Sequence, residues 1–172
     1  MSELKIKDLI RDYLLEEGLL RKKIKDPKLD FGFQFTFPPG QGGHIMAIFK
    51  PKNKDLIIIS SGTQISDQHI HALNLLNNSK KLLYFMDLRK FFLLKDVFFR
   101  IDVNHYRYEI SDQKFLKDGT LSKNSIFKSI RKVFNCAAYS NIILAQYCSG
   151  KIKEEDFDKS KAFTDSDFSL YS

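Results

Sequence analysis

From Lys54 to Ser60 the chain reads Lys-Asp-Leu-Ile-Ile-Ile-Ser, and this stretch leaves it few ways to fold. Consecutive isoleucines are stiff at χ1 and suit a pleated strand better than a helix. The apolar run 56–59 lacks the alternation of a half-exposed strand, so this strand is expected to be covered on both faces. Asn53 and Asp55 come before the run and Ser60-Ser61-Gly62 after it, which holds it to strand length. Such a strand lies inside a sheet with helices packed around it, and the rest of the sequence must supply both.

Sheet partners stand just upstream. Phe31, Phe33, Phe35 and Phe37 alternate with Gly32, Gln34 and Thr36, the period of a strand with one buried face. Pro38-Pro39-Gly40-Gln41-Gly42-Gly43 breaks the chain, a second strand is predicted over 44–49, and Pro51 to Asn53 turn it into the 56–59 strand. Short links make these three an antiparallel meander. Further on, Val97, Phe99, Ile101 and Val103 alternate again. Asn104-His105, as a two-residue turn, sets Val103 opposite Tyr106, Ile101 opposite Tyr108 and Phe99 opposite Ile110, all on one face.

Helical periodicity fills the remaining segments. Ile6, Leu9, Ile10, Tyr13 and Leu14 form one stripe, with Ser2 as cap and Gly18 as terminator. Ser66 caps a helix whose Ile65 and Ile70 have the spacing of a hydrophobic staple. After Asn77-Asn78-Ser79 a helix over 80–94 is apolar almost all round, which predicts burial on two sides. Asp118-Gly119 is a turn before a long helix over 123–148, in which Ile126, Ile130, Val133, Phe134, Ala137, Asn141, Ala145 and Cys148 share a face and Gly150 ends the run. The stretch Arg21-Lys22-Lys23-Ile24-Lys25, closed by Asp26-Pro27, reads as a solvated linker, with phosphate contact as its functional alternative.

The expected fold is therefore α+β. An antiparallel sheet, made of a three-strand meander plus a C-terminal hairpin, packs with an N-terminal helix, two central helices and a long C-terminal helix. One domain is expected over 1–150. Residues 151–172 read as a charged tail, disordered or loosely helical, that adds little to the fold. No apolar run reaches the roughly 18 residues of a membrane span. The first residues lack the apolar core of a secretory signal, so a cytoplasmic location is expected. Cys136 and Cys148, twelve positions apart on one helix, would lie about 18 Å apart, beyond disulfide reach.

The net charge is +7, and the tail, with four Lys against six Asp and Glu, leaves +9 on the first 150 residues. That permits nucleic-acid binding without indicating it. The glycine-rich loop 38–43 joins two strands, whereas phosphate-cradling glycine loops join a strand to a helix. His69 and His71 sit two apart on a helix and point in different directions, while His44 and His105 fall at strand ends or turns. Asp67 and Asp87 have no partner at a telling spacing. No catalytic residue, cofactor site or metal site is assigned. Phe98, Arg100, Tyr106, Arg107 and Tyr108 could stack bases, but ordinary strand alternation with Arg and Lys on the solvent face is the preferred account, since no recognisable RNA-reading module surrounds them.

The 33–38 strand with its Pro-Gly loop, Phe49-Lys50-Pro51, the 57–59 strand and the Ile65-Ser66 cap before His69 carry a resemblance to known proteins. Over about residues 1–150 the chain resembles an uncharacterised archaeal family with a type III secretion chaperone-like fold. In the bacterial chaperones that fold forms homodimers that hold unfolded segments of client proteins. Those chaperones are acidic and this chain is basic, so the resemblance implies fold and two-fold assembly but no client. The expected function is a non-enzymatic protein-binding or chaperone-like module, with a basic nucleic-acid-associated protein as the alternative. The excess apolar surface of the 80–94 helix, with Phe91, Phe92 and Phe98 near its end, marks the expected homodimer contact.

Overall fold

The structure, a computed structural model, describes residues 3–117, 119 and 121–149. The cap at Ser2, Asp118 of the expected turn, the terminator Gly150 and the tail 151–172 lie outside the described residues. In chain order the elements are α1 (Glu3–Glu16), β1 (Leu20–Lys23), β2 (Leu29–Phe37), β3 (His44–Pro51), β4 (Leu56–Gln64), α2 (Asp67–Asn74), α3 (Asn78–Leu94), β5 (Phe98–Asp102), β6 (Arg107–Phe115) and α4 (Lys123–Cys148). Six strands form one sheet in the order β1-β2-β3-β4-β6-β5. The first three pairings are antiparallel. So is β4 with β6, because Leu116 N–H donates to Asp55 O and Ile65 N–H to Tyr106 O, a register in which one number rises as the other falls.

The expected α+β class holds with one strand more than the sequence indicated. Arg21-Lys22-Lys23 is not a linker but part of β1, paired with β2 at the edge of the sheet. The cause lies at the end of α1. Gly18, at φ 67°, donates to Leu15 O while Leu19 N–H donates to Leu14 O, and this pair of bonds reverses the chain. Leu19 is buried by the reversal and the residues after it are laid along β2. Exposed Lys22 and Lys23 then discourage further strand pairing at this edge.

By internal contacts the described chain separates into two compact units. One comprises the residues up to Ser61 together with Ser111–Phe134, and the other Gly62–Ile110 together with the described residues from Asn135. β4, β6 and α4 each contribute to both. In the first unit Ile6, Ile10 and Leu14 of α1, Phe33 and Phe35 of β2, Ile48 of β3, Ile57 and Ile59 of β4, and Ile126, Ile130 and Val133 of α4 are buried. Its hairpin loop needs its glycines. Gly40 and Gly42 have φ of 102° and 88°, and a Cβ on Gly43 would come within 2.3 Å of Pro38 O. The 56–59 strand is central, as expected, but not covered equally on both faces. Ile57 and Ile59 are fully buried, while Leu56 and Ile58 are half-buried, because Ile58 stands opposite Phe49 on the other face of the sheet.

In the second unit Ser66 caps α2 by accepting from His69 N–H, and Asn77 caps α3 by accepting from Lys80 N–H. The Asn77-Asn78-Ser79 interruption is thus the start of α3, two residues earlier than the expected helix. The α4 boundaries match the expectation, and Cys136 and Cys148 are free and buried on it. Its buried face agrees with the predicted one as far as Ala137 and then turns: Ser140 and Leu144 are buried where Asn141 and Ala145 were expected. Ser140 can be buried because its hydroxyl donates to Ala137 O at 2.6 Å and meets Tyr108 OH at 2.6 Å. The hairpin turn spans four residues, with Tyr106 N–H donating to Val103 O, and the positive φ falls on Tyr106 instead of Asn104.

Candidate protein-binding surface

Among the described residues of one chain, α3 is buried on one side only, and the cover expected for its second side would have to come from elsewhere. Tyr84, Phe85, Leu88 and Phe92 face the core of the second unit. Among the described residues the opposite side is open to solvent: Leu82, Leu83 and Met86 at one end, Leu93 and Leu94 at the other, with Leu94 83% exposed. Exposed Arg89 and Lys90 lie between these two apolar groups on the same side. The sequence of α3 is apolar all round because one face is core and the other is bare.

Phe91, Phe92 and Phe98, the residues expected at a contact surface, separate. Phe92 is fully buried, with its ring 5.5 Å from Phe99 and 5.8 Å from Tyr108, so it is a core residue of its own chain and is not available to a partner. Phe91 is half-buried and stacks on Tyr139 of α4 at 4.3 Å and 24°. Phe98 is 57% exposed on the outermost strand, β5. Tyr139 and Ile142 of α4 are exposed as well. Sequence reasoning named the helix and Phe98, and Phe98 is exposed. It missed the exposed leucines because nothing in an all-round apolar helix says which side the core takes.

Beside the exposed side of α3, half-buried Tyr147 and Asp87 lie against buried Tyr84. Tyr147 OH donates to Asp87 of α3, and the Tyr147 ring meets Tyr84 edge-on at 5.5 Å. Burial, and then the Asp87 carboxylate, push the Tyr147 phenol up to about 12. Tyr84 is buried, its hydroxyl has no hydrogen-bond partner among the described residues, and its phenol is pushed far up by desolvation. Cys148 Sγ lies 3.8 Å from His69 O, and burial pushes its thiol up to about 11. A thiol held neutral in this way is a poor nucleophile. His69, half-buried, has its imidazole pKa lowered by desolvation, and its Nδ1 lies 2.6 Å from Ser66 Oγ. Asp87 is thus tied to Tyr147, and Asp67 sits in the first turn of α2.

The aromatic and basic residues of the hairpin do not form one stacking platform. Tyr108 is buried, and Tyr106 is held in the turn, its hydroxyl donating to Asn74 Oδ1 at 2.7 Å and accepting from Lys81. Arg100 and Arg107 instead line a shallow depression of about 420 Å³ with Gly62, Gln64, Asp102 and Glu109. Two carboxylates there balance two guanidiniums. Asp102 accepts from His105 Nδ1 at 2.9 Å and from Arg107 Nε at 3.3 Å. Desolvation pulls the Asp102 carboxyl up, but the bonds from His105 and Arg107 outweigh it and hold it below its usual range. Among the described residues no group of three or more His, Cys, Asp or Glu is placed to hold a metal ion. No described helix is long and apolar enough to cross a membrane.

Among the described residues these features define an α+β protein with a six-stranded antiparallel sheet, four helices and an exposed apolar helix face. Residues 6–144 match the model of a family of uncharacterized conserved proteins, DUF2299, and the chain belongs to that family. It is similar to a solved structure of an uncharacterized protein from Methanothermobacter thermautotrophicus, at 27% identity and a TM-score of 0.74, over 81% of this chain and 96% of that one. It also matches YbjN, a candidate transcription regulator from E. coli, at 13% identity and a TM-score of 0.46, over 81% of this chain and 90% of that one. Among curated proteins none matches.

Proposed function

We propose that the chain is a non-enzymatic protein-binding module with a type III secretion chaperone-like fold, acting as a homodimer. The observation that supports this best is the bare side of α3, where five large apolar side chains stand exposed on one helix. An exposed apolar patch of a few hundred Å² on a soluble chain is often functional. Among the described residues around it, none is a nucleophile with an activating base. Cys148 is held as a neutral thiol and Asp87 is bonded to Tyr147. The test is suppression of aggregation of a reduced, carboxymethylated reporter protein. The wild-type chain should slow aggregation, and Leu82→Lys with Leu93→Lys should abolish the effect while the variant unfolds cooperatively. Equal suppression by both proteins, or none by either, would overturn the reading.

A second reading, nucleic-acid association, is favoured by one observation. Arg21, Lys22 and Lys23 of β1 and the following Lys25 and Lys28 are exposed in sequence along one edge. Binding through them would weaken steeply with salt, since each phosphate contact releases condensed counterions. Retention on heparin or single-stranded DNA at low salt, lost with Lys22→Glu and Lys23→Glu, is its expected signature. No retention even at low salt would remove it.

A further inference from the structure

The two edges of the sheet are built differently. β1 has an irregular register against β2 and carries exposed Lys22 and Lys23, both of which discourage a further strand. β5, at the other edge, reads Phe-Phe-Arg-Ile-Asp, with neither lysine nor proline. Among the described residues no strand pairs with its outer side. The backbone groups that face outward follow from the bonds β6 makes on its other side. Tyr106 O and Leu116 N–H both bond to the β4 side, so the even-numbered residues of β6 point toward β4 and the odd-numbered ones toward β5. The turn 103–106 sets Asp102 opposite Arg107, and their side chains bond at 3.3 Å. Phe98, Arg100 and Asp102 therefore pair with β6, and the N–H and C=O of Phe99 and Ile101 point out from the free edge.

That edge is complementary to itself. Two copies of β5, antiparallel with Ile101 opposite Ile101, set Arg100 opposite the partner's Asp102 and Phe99 opposite the partner's Val103, each pairing occurring twice. The outward N–H and C=O of Ile101 then bond to the same groups of the partner's Ile101. Arg100 is exposed and has no ion-pair partner among the described residues. Asp102 already accepts from His105 and Arg107, and a carboxylate can accept about four bonds. A register centred on Arg100 instead would oppose two guanidiniums, which is destabilising.

We propose that β5 pairs antiparallel with β5 of a second copy about a two-fold axis at Ile101, joining the two sheets edge to edge with Arg100 on the partner's Asp102. This rests on the homodimer reading and names its seam. Phe92 of α3 packs on Phe99, so α3 of each copy lies on the same face of the joined sheet.

Cysteine cross-linking of the full-length chain tests the register. Cα atoms of a hydrogen-bonded antiparallel pair lie about 5.5 Å apart, within disulfide reach. Ile101→Cys should therefore form a disulfide-linked dimer on mild oxidation, roughly tenfold faster than Arg100→Cys, whose two copies stand diagonally at about 7–8 Å. The wild type, with Cys136 and Cys148 buried, should form none. Ile101→Pro removes the outward N–H and leaves the bonds to β6 intact, so it should sediment as one copy and still unfold cooperatively in urea. If that variant does not fold, the cross-links decide. A wild-type dimer with no Ile101→Cys cross-link, with Arg100→Cys the faster, or with a folded Ile101→Pro still dimeric, would overturn the seam and leave the homodimer standing. A wild type that stays at one copy with no cross-link in either variant would overturn both.

Discussion

Phe92 and Phe98 are six residues apart and chemically identical, yet the fold gives them opposite roles. Phe92 lies among Phe91, Phe99 and Tyr108 and has no exposed surface. Phe98 projects from the outermost strand. Removing a buried phenyl ring forfeits its transfer free energy and leaves a cavity, so Phe92→Ala should cost about 3–5 kcal/mol. Phe98→Ala should change stability by about 0.5 kcal/mol or less, because the ring is already in water. Urea unfolding of the two variants checks this, and similar midpoints for both would contradict the assignment of Phe92 to the core. The same pair shows what a sequence conveys at this scale. Alternation through Val97, Phe99 and Ile101 puts Phe98 on the other face of its strand from Phe99, so its exposure was readable. The placement of Phe92 depends on which side of α3 meets the core, and an all-round apolar helix does not encode that locally.

Among the elements, most of the order was legible because the strong signals were periodic. The Phe alternation of β2, the Ser66 cap of α2 and the full length of α4 all appear where the pattern put them. β1 was not legible, since Leu-Arg-Lys-Lys has no strand period, and it is a strand only because Gly18 turns the chain back beside β2. The late half of α4 was half legible. Its buried face turns toward Ser140, a residue whose burial depends on a hydroxyl from β6, far away in sequence. This half also carries a pH dependence. The folded state raises Cys148 from 9.0 to about 11 through burial, and Tyr147 from 10.0 to about 12 through burial and the Asp87 carboxylate. Each group has a folded pKa above its unfolded value, so its contribution is complete below about pH 9 and is lost as pH rises through 11 to 12. The urea midpoint should therefore hold steady up to about pH 9 and fall beyond it, and Tyr147→Phe should flatten the upper part of the fall. A midpoint that stays constant to pH 12 in the wild type would show that these groups are not held by the fold.

For the whole molecule, the area of the exposed side of α3 limits how tightly two copies can meet on it. A helix of 17 residues is about 26 Å long and about 10 Å wide, so one side offers on the order of 300 Å². Stable interfaces bury about 800 Å² per partner. The helix alone is therefore too small for a tight dimer. Its neighbours in the same unit can add area. Phe91 stacks on Tyr139, which brings exposed Tyr139 and Ile142 of α4 alongside, and Phe92 against Phe99 brings β5 with exposed Phe98 to its end. A two-fold contact over this extended patch should give a dimer that dissociates in the micromolar range. Sedimentation of the 20.1 kDa chain should show a mass rising from one copy toward two across that range. Leu93→Lys with Leu94→Lys should hold it at one copy, with the urea midpoint nearly unchanged, since both side chains are already exposed. A wild type that remains monomeric up to hundreds of micromolar would exclude the homodimer. A dimer unaffected by the two lysines would place the contact elsewhere on the chain.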